Sequence, residues 1–432
     1  MNIYFIFFLL LLVLTVTNVI AHRYLKKRWA IWLIYGISCL SIIGFMLSVS
    51  APTSYVFGDY NKSYYTGGRL VIENPKSLYT DEVAFANIPI FGFLFTPFAF
   101  LPQKASYLLL AILSTIVVGF TCYLLVRPKF LTPLQRILIV SLFVVFGPLY
   151  NSLREGNSTH FAFPLLLGGL LCIQQHRQFS GGILLGIAAL TKIPLMLFGV
   201  YYIARRQWQV VIGFVAIVLL IVAMSLLVFG IDLHISWFNY CILPFLKSST
   251  VVAYNNQSLD AFLGRLFTDN SLMDWNRLQL GINYRLLRYA IVSLLVGSTI
   301  WVFWKAKQPT TNEERSLEFA VVLCLAIMLS SVSWTHYYLY LLIPLSLLVS
   351  DRLWLPQGRY WVALLGFSIL LIIPPPREIG SANLVTRFLA SHYFLGATIL
   401  LLALLVARWQ SSSRLFSSSL AIAQHSNLAK EE

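Results

Sequence analysis

Charged residues are scarce in this sequence of 432 residues. Only 11% of the residues are Asp, Glu, Lys or Arg, against roughly 25% in soluble domains. Hydrophobic residues make up 58% of the chain, and apolar runs of about 20 residues, long enough to cross a bilayer as a helix, recur along it. This composition excludes a soluble protein and predicts an all-α polytopic membrane protein.

Cysteines and soluble-enzyme motifs are also scarce. The five cysteines stand singly, without a CxxC pair or a metal-ligand spacing, and are predicted to be packing residues. No phosphate-binding loop, dinucleotide-binding motif or nucleophile elbow follows a predicted strand, and no HExxH occurs. The net charge is +15, but no basic cluster with interleaved aromatics supports nucleic-acid binding. We therefore expect no metal, no cofactor and no nucleic-acid partner.

The apolar runs and the basic residues between them predict the topology. Basic residues 22–28 follow a first span at residues 3–21, and we place them inside because positive charge collects on the cytoplasmic side. No basic segment precedes that first run, so we expect a retained helix rather than a cleaved signal peptide. Ten further spans complete a predicted total of eleven: 29–50, 105–126, 137–151, 161–174, 209–230, 286–304, 316–332, 339–350, 360–374 and 388–407. Long outer loops are predicted at 51–104 and 232–285, and a disordered cytoplasmic tail at 411–432.

Residues 180–204 form an apolar segment between two basic markers, Arg177 and Arg205-Arg206. A single span would place the second marker outside, against the positive-inside tendency. A re-entrant hairpin of two half-helices keeps both markers inside, with Lys192 and Pro194 at its tip. Broken helices of this kind occur where they line a polar cavity within a membrane protein. We therefore expect a hairpin, with a single span as the alternative.

Polar residues without an obvious structural duty collect at the predicted outer ends of the spans. Ionisable groups are costly there, so their collection on one side predicts a site. Arg154 and Glu155 could instead form an exposed ion pair. The candidates are Asp59, Arg154, Glu155, Asn157, His160, Asn256, Gln257, Arg265 and His336, with Lys192 reaching toward them from the hairpin.

Four of these candidates also have a structural interpretation. Asp59 lies among Tyr, Asn and Gly at the predicted interface, where it could accept a proton from a sugar hydroxyl, or could simply cap a helix or solvate the loop. Lys192 could extend to lipid headgroups. His160 could be an interfacial side chain, and His336 could belong to an interfacial aromatic belt. The residues alone leave these alternatives open.

An ordered set of short motifs runs across residues 55–345. The motifs are Gly58-Asp59-Tyr60, Asn74-Pro75 with Leu78-Tyr79, Thr96-Pro97 with Leu101-Pro102, Gly156-Asn157, Gly182 and Gly186 with Lys192-Ile193-Pro194, Asn256-Gln257-Ser258-Leu259 with Arg265, and Ser333-Trp334-Thr335-His336-Tyr337. This set resembles glycosyltransferase family 87, whose members are membrane enzymes of the GT-C fold that use polyprenyl-phosphate sugars, many of them mannosyltransferases. The chain departs from the family pattern at Glu155-Gly156, where Gly-Gln is frequent, and at Phe95-Thr96-Pro97, where Tyr-x-Pro is usual.

The resemblance implies a GT-C-like domain over residues 29–410, with residues 1–28 as an additional N-terminal transmembrane helix and basic loop. It implies that Asp59 is the catalytic base. For the donor phosphate and sugar it implies a set of polar side chains: His336, Arg265, Lys192, Asn256, Gln257 and Asn157. For the acceptor we expect Tyr60, Tyr64 and Glu155.

The function predicted in this way is inverting transfer of a hexose, with mannose as the family-level expectation, from a polyprenyl-phosphate donor. The expected acceptor is a hydroxyl of a glycolipid, polysaccharide or protein at the outer face of a bacterial plasma membrane. A transporter or flippase of lipid-linked envelope intermediates is the main alternative, because it would share the broken helix. A non-catalytic assembly protein is the second alternative, and it would tolerate loss of Asp59.

Overall fold

The computed structural model is 76% helical with almost no sheet. It describes residues 56–80, 83, 85–246, 249–356, 358–376 and 383–428. The predicted spans 3–21 and 29–50 and the basic loop between them lie outside these residues. An all-α architecture is therefore confirmed for the part of the chain that the structure describes.

Within the described residues, eight helices precede residue 205. The first is preceded by a π-helical turn, Tyr60–Tyr65, which continues directly into it. In chain order they are α1 (Thr66–Glu73), α2 (Gly92–Ala99), α3 (Gln103–Val126), α4 (Pro133–Val145), α5 (Gly147–Glu155), α6 (Thr159–Gln174), α7 (Gln178–Thr191) and α8 (Leu197–Ala204).

The remaining chain forms helices and one two-stranded antiparallel sheet. The strands β1 (Ser249–Thr250) and β2 (Leu278–Gln279) pair within the second predicted outer loop. The helices are α9 (Trp208–Trp237), α10 (Leu243–Leu246), α11 (Leu259–Phe267), α12 (Ile282–Lys305), α13 (Asn312–Met328), α14 (Leu342–Val349), α15 (Arg359–Ile372), α16 (Leu384–Leu389) and α17 (His392–Leu428). The backbone of α17 is helical to Leu428, where the sequence predicted a disordered tail from residue 411.

Four helical segments of the described chain are long and apolar enough to cross a membrane, namely Gln103–Val126, Trp208–Leu246, Ile282–Lys305 and His392–Ser411. A fifth candidate is the pair α4 and α5, which bends by 48°. The bend occurs at Phe146, whose backbone is extended (ψ 100°), next to Gly147 and a proline at the start of α5. Other predicted spans, such as 161–174 and 360–374, are helices of 10–17 residues. The count of eleven spans stays a prediction.

The segment after Arg177 turns back at Lys192. Helices α7 and α9 run parallel in close contact, since Gly182 faces the carbonyl of Val210 and Gly186 faces Phe214. Two successive parallel helices require a return segment between them, and residues 193–204 supply it. At the other end, Gln174 bonds Ser316 and Arg205 bonds Glu318, both in the first turns of α13. The chain therefore reverses its direction at Lys192, as a hairpin requires, and the re-entrant placement of this segment in a membrane stays a prediction.

The bundle has two ends, and each collects buried charge. At one end, which we call the Glu318 end, Glu318 accepts hydrogen bonds from Arg205, from Tyr201 at 2.8 Å and from Arg408 at 2.7 Å. Arg408 also bonds Glu314 at 3.0 Å and the carbonyl of Ala306 at 3.2 Å. This cluster joins α8, α13 and α17. We call the opposite end, which holds the hairpin tip, the Asp59 end.

The loop after Phe57 folds into a small core of its own at the Asp59 end. Helices α1 and α2 pack closely because Gly68 carries no side chain: a Cβ there would lie 2.6 Å from the backbone of Phe95. The Thr96 hydroxyl donates to the Gly68 carbonyl at 3.0 Å and fixes this contact. Apolar residues of the loop, among them Tyr60, Tyr64 and Phe85, pack together and against Leu190 near the hairpin tip. The loop is therefore anchored over the tip.

Candidate active site

The turn between α5 and α6 brings the loop after Phe57, which we call the Asp59 loop, into the site. Gly156 adopts a left-handed conformation (φ 64°) that ends α5. A Cβ on Gly156 would lie 2.7 Å from Cβ of Tyr60 and 2.9 Å from the ring of Phe57. In addition, the Phe57 amide donates to the Arg154 carbonyl at 2.7 Å. Because the loop lies directly on a glycine with a positive φ, Asp59 is placed beside the next residue, Asn157.

Asp59 does not cap the helix that begins beside it. Its backbone is helical and its side chain makes no capping hydrogen bond. The carboxylate instead accepts a hydrogen bond from Nδ2 of Asn157 at 2.7 Å. Burial raises the pKa of the Asp59 carboxyl above the usual 3.8, although the Asn157 amide and the charge of Lys192 act in the opposite direction. The helix-cap interpretation is wrong, and Asp59 is a carboxylate held by a partner from another element.

Lys192 is buried at the hairpin tip and does not extend to headgroups. Its side chain is 7% exposed. The Nζ atom donates to Oδ1 of Asn157 at 3.0 Å and lies 4.9 Å from the centre of the Tyr337 ring. An ammonium offers three donors, and within the described residues this is its one hydrogen bond. Lys192 therefore retains donors for a further acceptor.

His336 and Tyr337 enter the site from the turn Thr335–Leu341. His336 is 4% exposed, and its Nε2 has no hydrogen-bond partner within the described chain. The neighbouring Tyr338 is fully buried as well, so these two side chains do not face lipid as an interfacial belt would require. A buried unpaired ring nitrogen costs free energy unless a ligand satisfies it. His336 directly precedes Tyr337, whose ring faces Lys192.

The second predicted outer loop supports this turn and offers few free groups. Asn256 donates to the Val251 carbonyl at 2.8 Å and accepts from the Ser333 amide at 2.9 Å. Gln257 donates to the carbonyls of Tyr254 and Ala390, at 2.7 and 2.6 Å. These amides are used within the protein, and the geometry gives no support to the predicted sugar contacts. They attach the chain before His336 to the second loop.

Arg265 is likewise consumed by internal bonds. It is fully buried, and its guanidinium donates to Ser391 and to the carbonyls of Val252, Ala253 and Asn256 at 2.9–3.3 Å. The structure does not bring it into the hydrogen-bonded chain of Asp59, Asn157 and Lys192. Its predicted role on the donor phosphate stays a prediction without geometric support.

The predicted acceptor residues differ in placement. Tyr60 is fully buried with its hydroxyl bonded to Ser106, which leaves no face for an acceptor. Tyr64 bonds Ser158 at 2.8 Å, and burial raises its pKa to about 12, so it is a neutral phenol. Glu155 lies beside the Asp59 loop, since its Oε2 would be 2.9 Å from a Cβ on Gly58. Of these three residues, Glu155 is the one whose position best fits the predicted contact with the acceptor.

Two further polar residues have structural duties. His160 is fully buried between Ser152 and Ser114, bonded to them at 3.0 and 2.8 Å, so the interfacial interpretation is wrong. Asp260 is 3% exposed and forms an ion pair with Arg288.

Sequence reasoning missed the roles of Thr159 and Tyr337. Thr159 donates to Oδ1 of Asn157 through both its amide, at 3.1 Å, and its hydroxyl, at 2.7 Å. Tyr337 places its ring under Lys192. Both are sequence neighbours of candidates, and Tyr337 also ends the motif Ser333-Trp334-Thr335-His336-Tyr337. The assembled site thus consists of Asp59, Asn157 and Lys192 in a hydrogen-bonded chain, with Tyr337 and His336 beside Lys192.

A sequence model of glycosyltransferase family 87 matches residues 85–331. No curated protein and no solved structure matches the chain. The matched residues include Asn157 and Lys192, whereas Asp59 and His336 lie outside them. The match covers more than half of the chain and agrees with the motifs noted in the sequence. The chain therefore belongs to glycosyltransferase family 87.

Proposed function

We propose that the protein transfers a hexose, with mannose as the first candidate, from a polyprenyl-phosphate donor to an acceptor hydroxyl, with inversion. The observation that supports this best is the chain Asp59–Asn157–Lys192. It holds a carboxylate and a cation at the two ends of one amide. Sugar transfer from a phosphate donor needs these two functions, a base for the acceptor and positive charge for the leaving group.

Asp59 accepts the proton of the acceptor hydroxyl while the oxygen attacks the anomeric carbon of the donor. The bond between that carbon and the phosphate oxygen breaks, and its electron pair leaves with the polyprenyl phosphate. Lys192 donates hydrogen bonds to the phosphate as negative charge develops, and Nε2 of His336 supplies a second polar contact. The step needs no metal.

A lipid-linked donor suits a site within apolar helices. The segment α7–α8 turns at Lys192. Its two half-helices are apolar and pack against other helices. A donor whose tail stays in the bilayer can present its phosphate at such a depth, whereas a water-soluble nucleotide-sugar would need a separate binding domain. We place the Asp59 end at the outer side of a bacterial plasma membrane, because this leaves the basic segments on the inner side.

The test is a transfer assay in membranes that contain wild type or Asp59→Asn. The substrates are a radiolabelled polyprenyl-phosphate hexose, with mannose and glucose tested separately, and extracted glycolipids. Loss of the base should reduce transfer by about 10²–10⁴-fold, the range typical of general base catalysis. Asp232→Asn is the matched control, because Asp232 is an exposed aspartate on α9, after the kink at Gly230. It should transfer at the wild-type rate.

Equal transfer by Asp59→Asn and wild type would remove Asp59 from the mechanism and favour Glu155 as the base. Absence of transfer by wild type, combined with movement of the labelled lipid across the membrane, would contradict the proposed reaction and favour the transporter.

A further inference from the structure

The amide of Asn157 has a fixed orientation. A backbone amide and an ammonium group can only donate hydrogen bonds. Oδ1 of Asn157 must therefore be the atom that faces the Thr159 amide at 3.1 Å and Lys192 at 3.0 Å. The Nδ2 atom, at the other side, donates to Asp59 at 2.7 Å. The amide cannot flip without facing donor with donor, so it separates carboxylate from ammonium in one defined way.

This separation has a chemical consequence. Asp59 and Lys192 contact the same amide and form no direct ion pair among those of the described residues. A direct pair would favour the ionised carboxylate and make it a weaker base, because opposite charges at short range stabilise each other strongly away from water. It would also use the donors of Lys192 that a leaving phosphate needs.

We propose that Asn157 is a positioning residue that holds Asp59 and Lys192 apart, so that one serves the acceptor hydroxyl and the other serves the leaving phosphate. The inference rests on the proposed function for these two roles. It differs from the sugar contact predicted for Asn157. Oδ1 of the amide already receives three hydrogen bonds, and Nδ2 gives one of its two N–H donors to the carboxylate.

The other groups around Asp59 do not duplicate this role. They come from the loop itself, from α5 and from the turn after Trp334, and none stands between the carboxylate and Lys192 in the hydrogen-bonded chain. They are Lys62, Tyr64, Glu155 and Tyr337.

If Asn157 acts as a spacer, its removal should change the pKa of Asp59 in one direction. If it acts only as a hydrogen-bond donor, its removal should change that pKa in the opposite direction. Loss of the bond from Asn157 alone removes a contact that favours ionised Asp59, so the pKa of Asp59 should rise. If the space left by Asn157→Ala lets Lys192 reach the carboxylate, the pKa should fall instead, by about 1–3 units for a direct ion pair. Asn157→Leu removes the same bond but fills the space, and is therefore the matched control.

The experiment is an infrared titration of the Asp59 carboxyl in the purified full chain, with the spectrum of the corresponding Asp59→Asn variant subtracted. We expect a lower midpoint in Asn157→Ala, a higher one in Asn157→Leu, and loss of the decrease when Lys192→Met is added to Asn157→Ala. Asn157→Ser serves as a second space-creating variant. An unchanged or higher midpoint in both Asn157→Ala and Asn157→Ser would overturn the proposal.

The titration needs no substrate, so its result is independent of the proposed function. Where wild type transfers sugar, the pH at which kcat/KM falls on the acid side should move with the infrared midpoint in each variant. A loss of rate in Asn157→Ala without movement of that pH would indicate a merely structural role. Absence of transfer in wild type would instead count against the proposed function while leaving the titration readable.

Discussion

The two ends of the helical bundle both contain buried charges, and they use them differently. At the Glu318 end, two arginines and two glutamates satisfy one another, with a tyrosine and backbone carbonyls completing the set. At the Asp59 end, one carboxylate and one ammonium share an amide, and a histidine nitrogen has no partner within the described residues. The first arrangement is complete, whereas the second has donors to spare.

This difference separates a structural cluster from a reactive one. A saturated buried network fixes the packing of the helices that supply it, and breaking it leaves uncompensated charge. A network with unused donors can be completed by a ligand. We therefore expect mutations at the Glu318 end to reduce stability, and mutations at the Asp59 end to reduce the rate of transfer.

The largest effect that tests this comparison is expected for Glu318→Ala. Removal of the carboxylate leaves Arg205 and Arg408 buried without it, which typically costs about 3–5 kcal/mol. Thermal unfolding of the purified protein in detergent measures this loss. The control is Glu313→Ala, an exposed glutamate of the same helix, which should unfold as wild type does. A normal unfolding temperature for Glu318→Ala would end the assignment of this cluster as structural.

Lys192→Met should show the reverse pattern. Loss of one group that stabilises developing charge costs about 10²–10³ in kcat, whereas removal of a buried cation should not lower the unfolding temperature. Single-turnover transfer and thermal unfolding, measured on the same preparation, give both values. Lys104→Met, at an exposed lysine of α3, is the control. A Lys192→Met variant that unfolds early but transfers normally per folded molecule would invert the comparison.

Arg265→Met tests whether Arg265 belongs to the donor site or only supports the fold. Its guanidinium serves carbonyls and Ser391, so we expect a loss of stability of about 1–3 kcal/mol for a carbonyl left unsatisfied. The KM for the donor should stay within about twofold of the wild-type value, because uniform binding is not affected. Arg285→Met, at an exposed arginine of α12, is the control. A large rise in KM with normal stability would restore Arg265 to the donor site.

The smallest effect concerns pH. Asp59 acts as a base only when it is ionised, and its pKa lies above the usual 3.8 because of burial. The value of kcat/KM should therefore fall on the acid side at a pH above 3.8. The stability of the fold changes in the opposite direction to the activity. Ionised Asp59 is disfavoured in the fold, and this cost disappears as the pH falls through the raised pKa. At neutral pH Asp59→Asn should unfold slightly later than wild type, and below pH 3.8 it should unfold with it.

The sequence predicted the helical class and the reversal of the chain at Lys192, because hydropathy and basic residues act locally and can be counted. It could not separate Arg265 from Lys192. Both are cations near polar neighbours in the sequence, and only the fold shows that the first is surrounded by carbonyls and the second by one amide and one ring. It also could not show that Asn256 and Gln257 face backbone groups, since an amide suits a sugar and a peptide equally.

The glycine contacts between α7 and α9 have a consequence for lipids. A Cβ on Gly182 would lie 2.1 Å from the carbonyl of Val210, and one on Gly213 would lie 2.1 Å from that of Phe179, so the two backbones touch. A bilayer that is thinner than the apolar length of a helix makes that helix tilt. Because α7 must tilt together with α9, Lys192 keeps its depth relative to the Asp59 loop. The enzyme should therefore tolerate a wide range of acyl-chain lengths in its membrane.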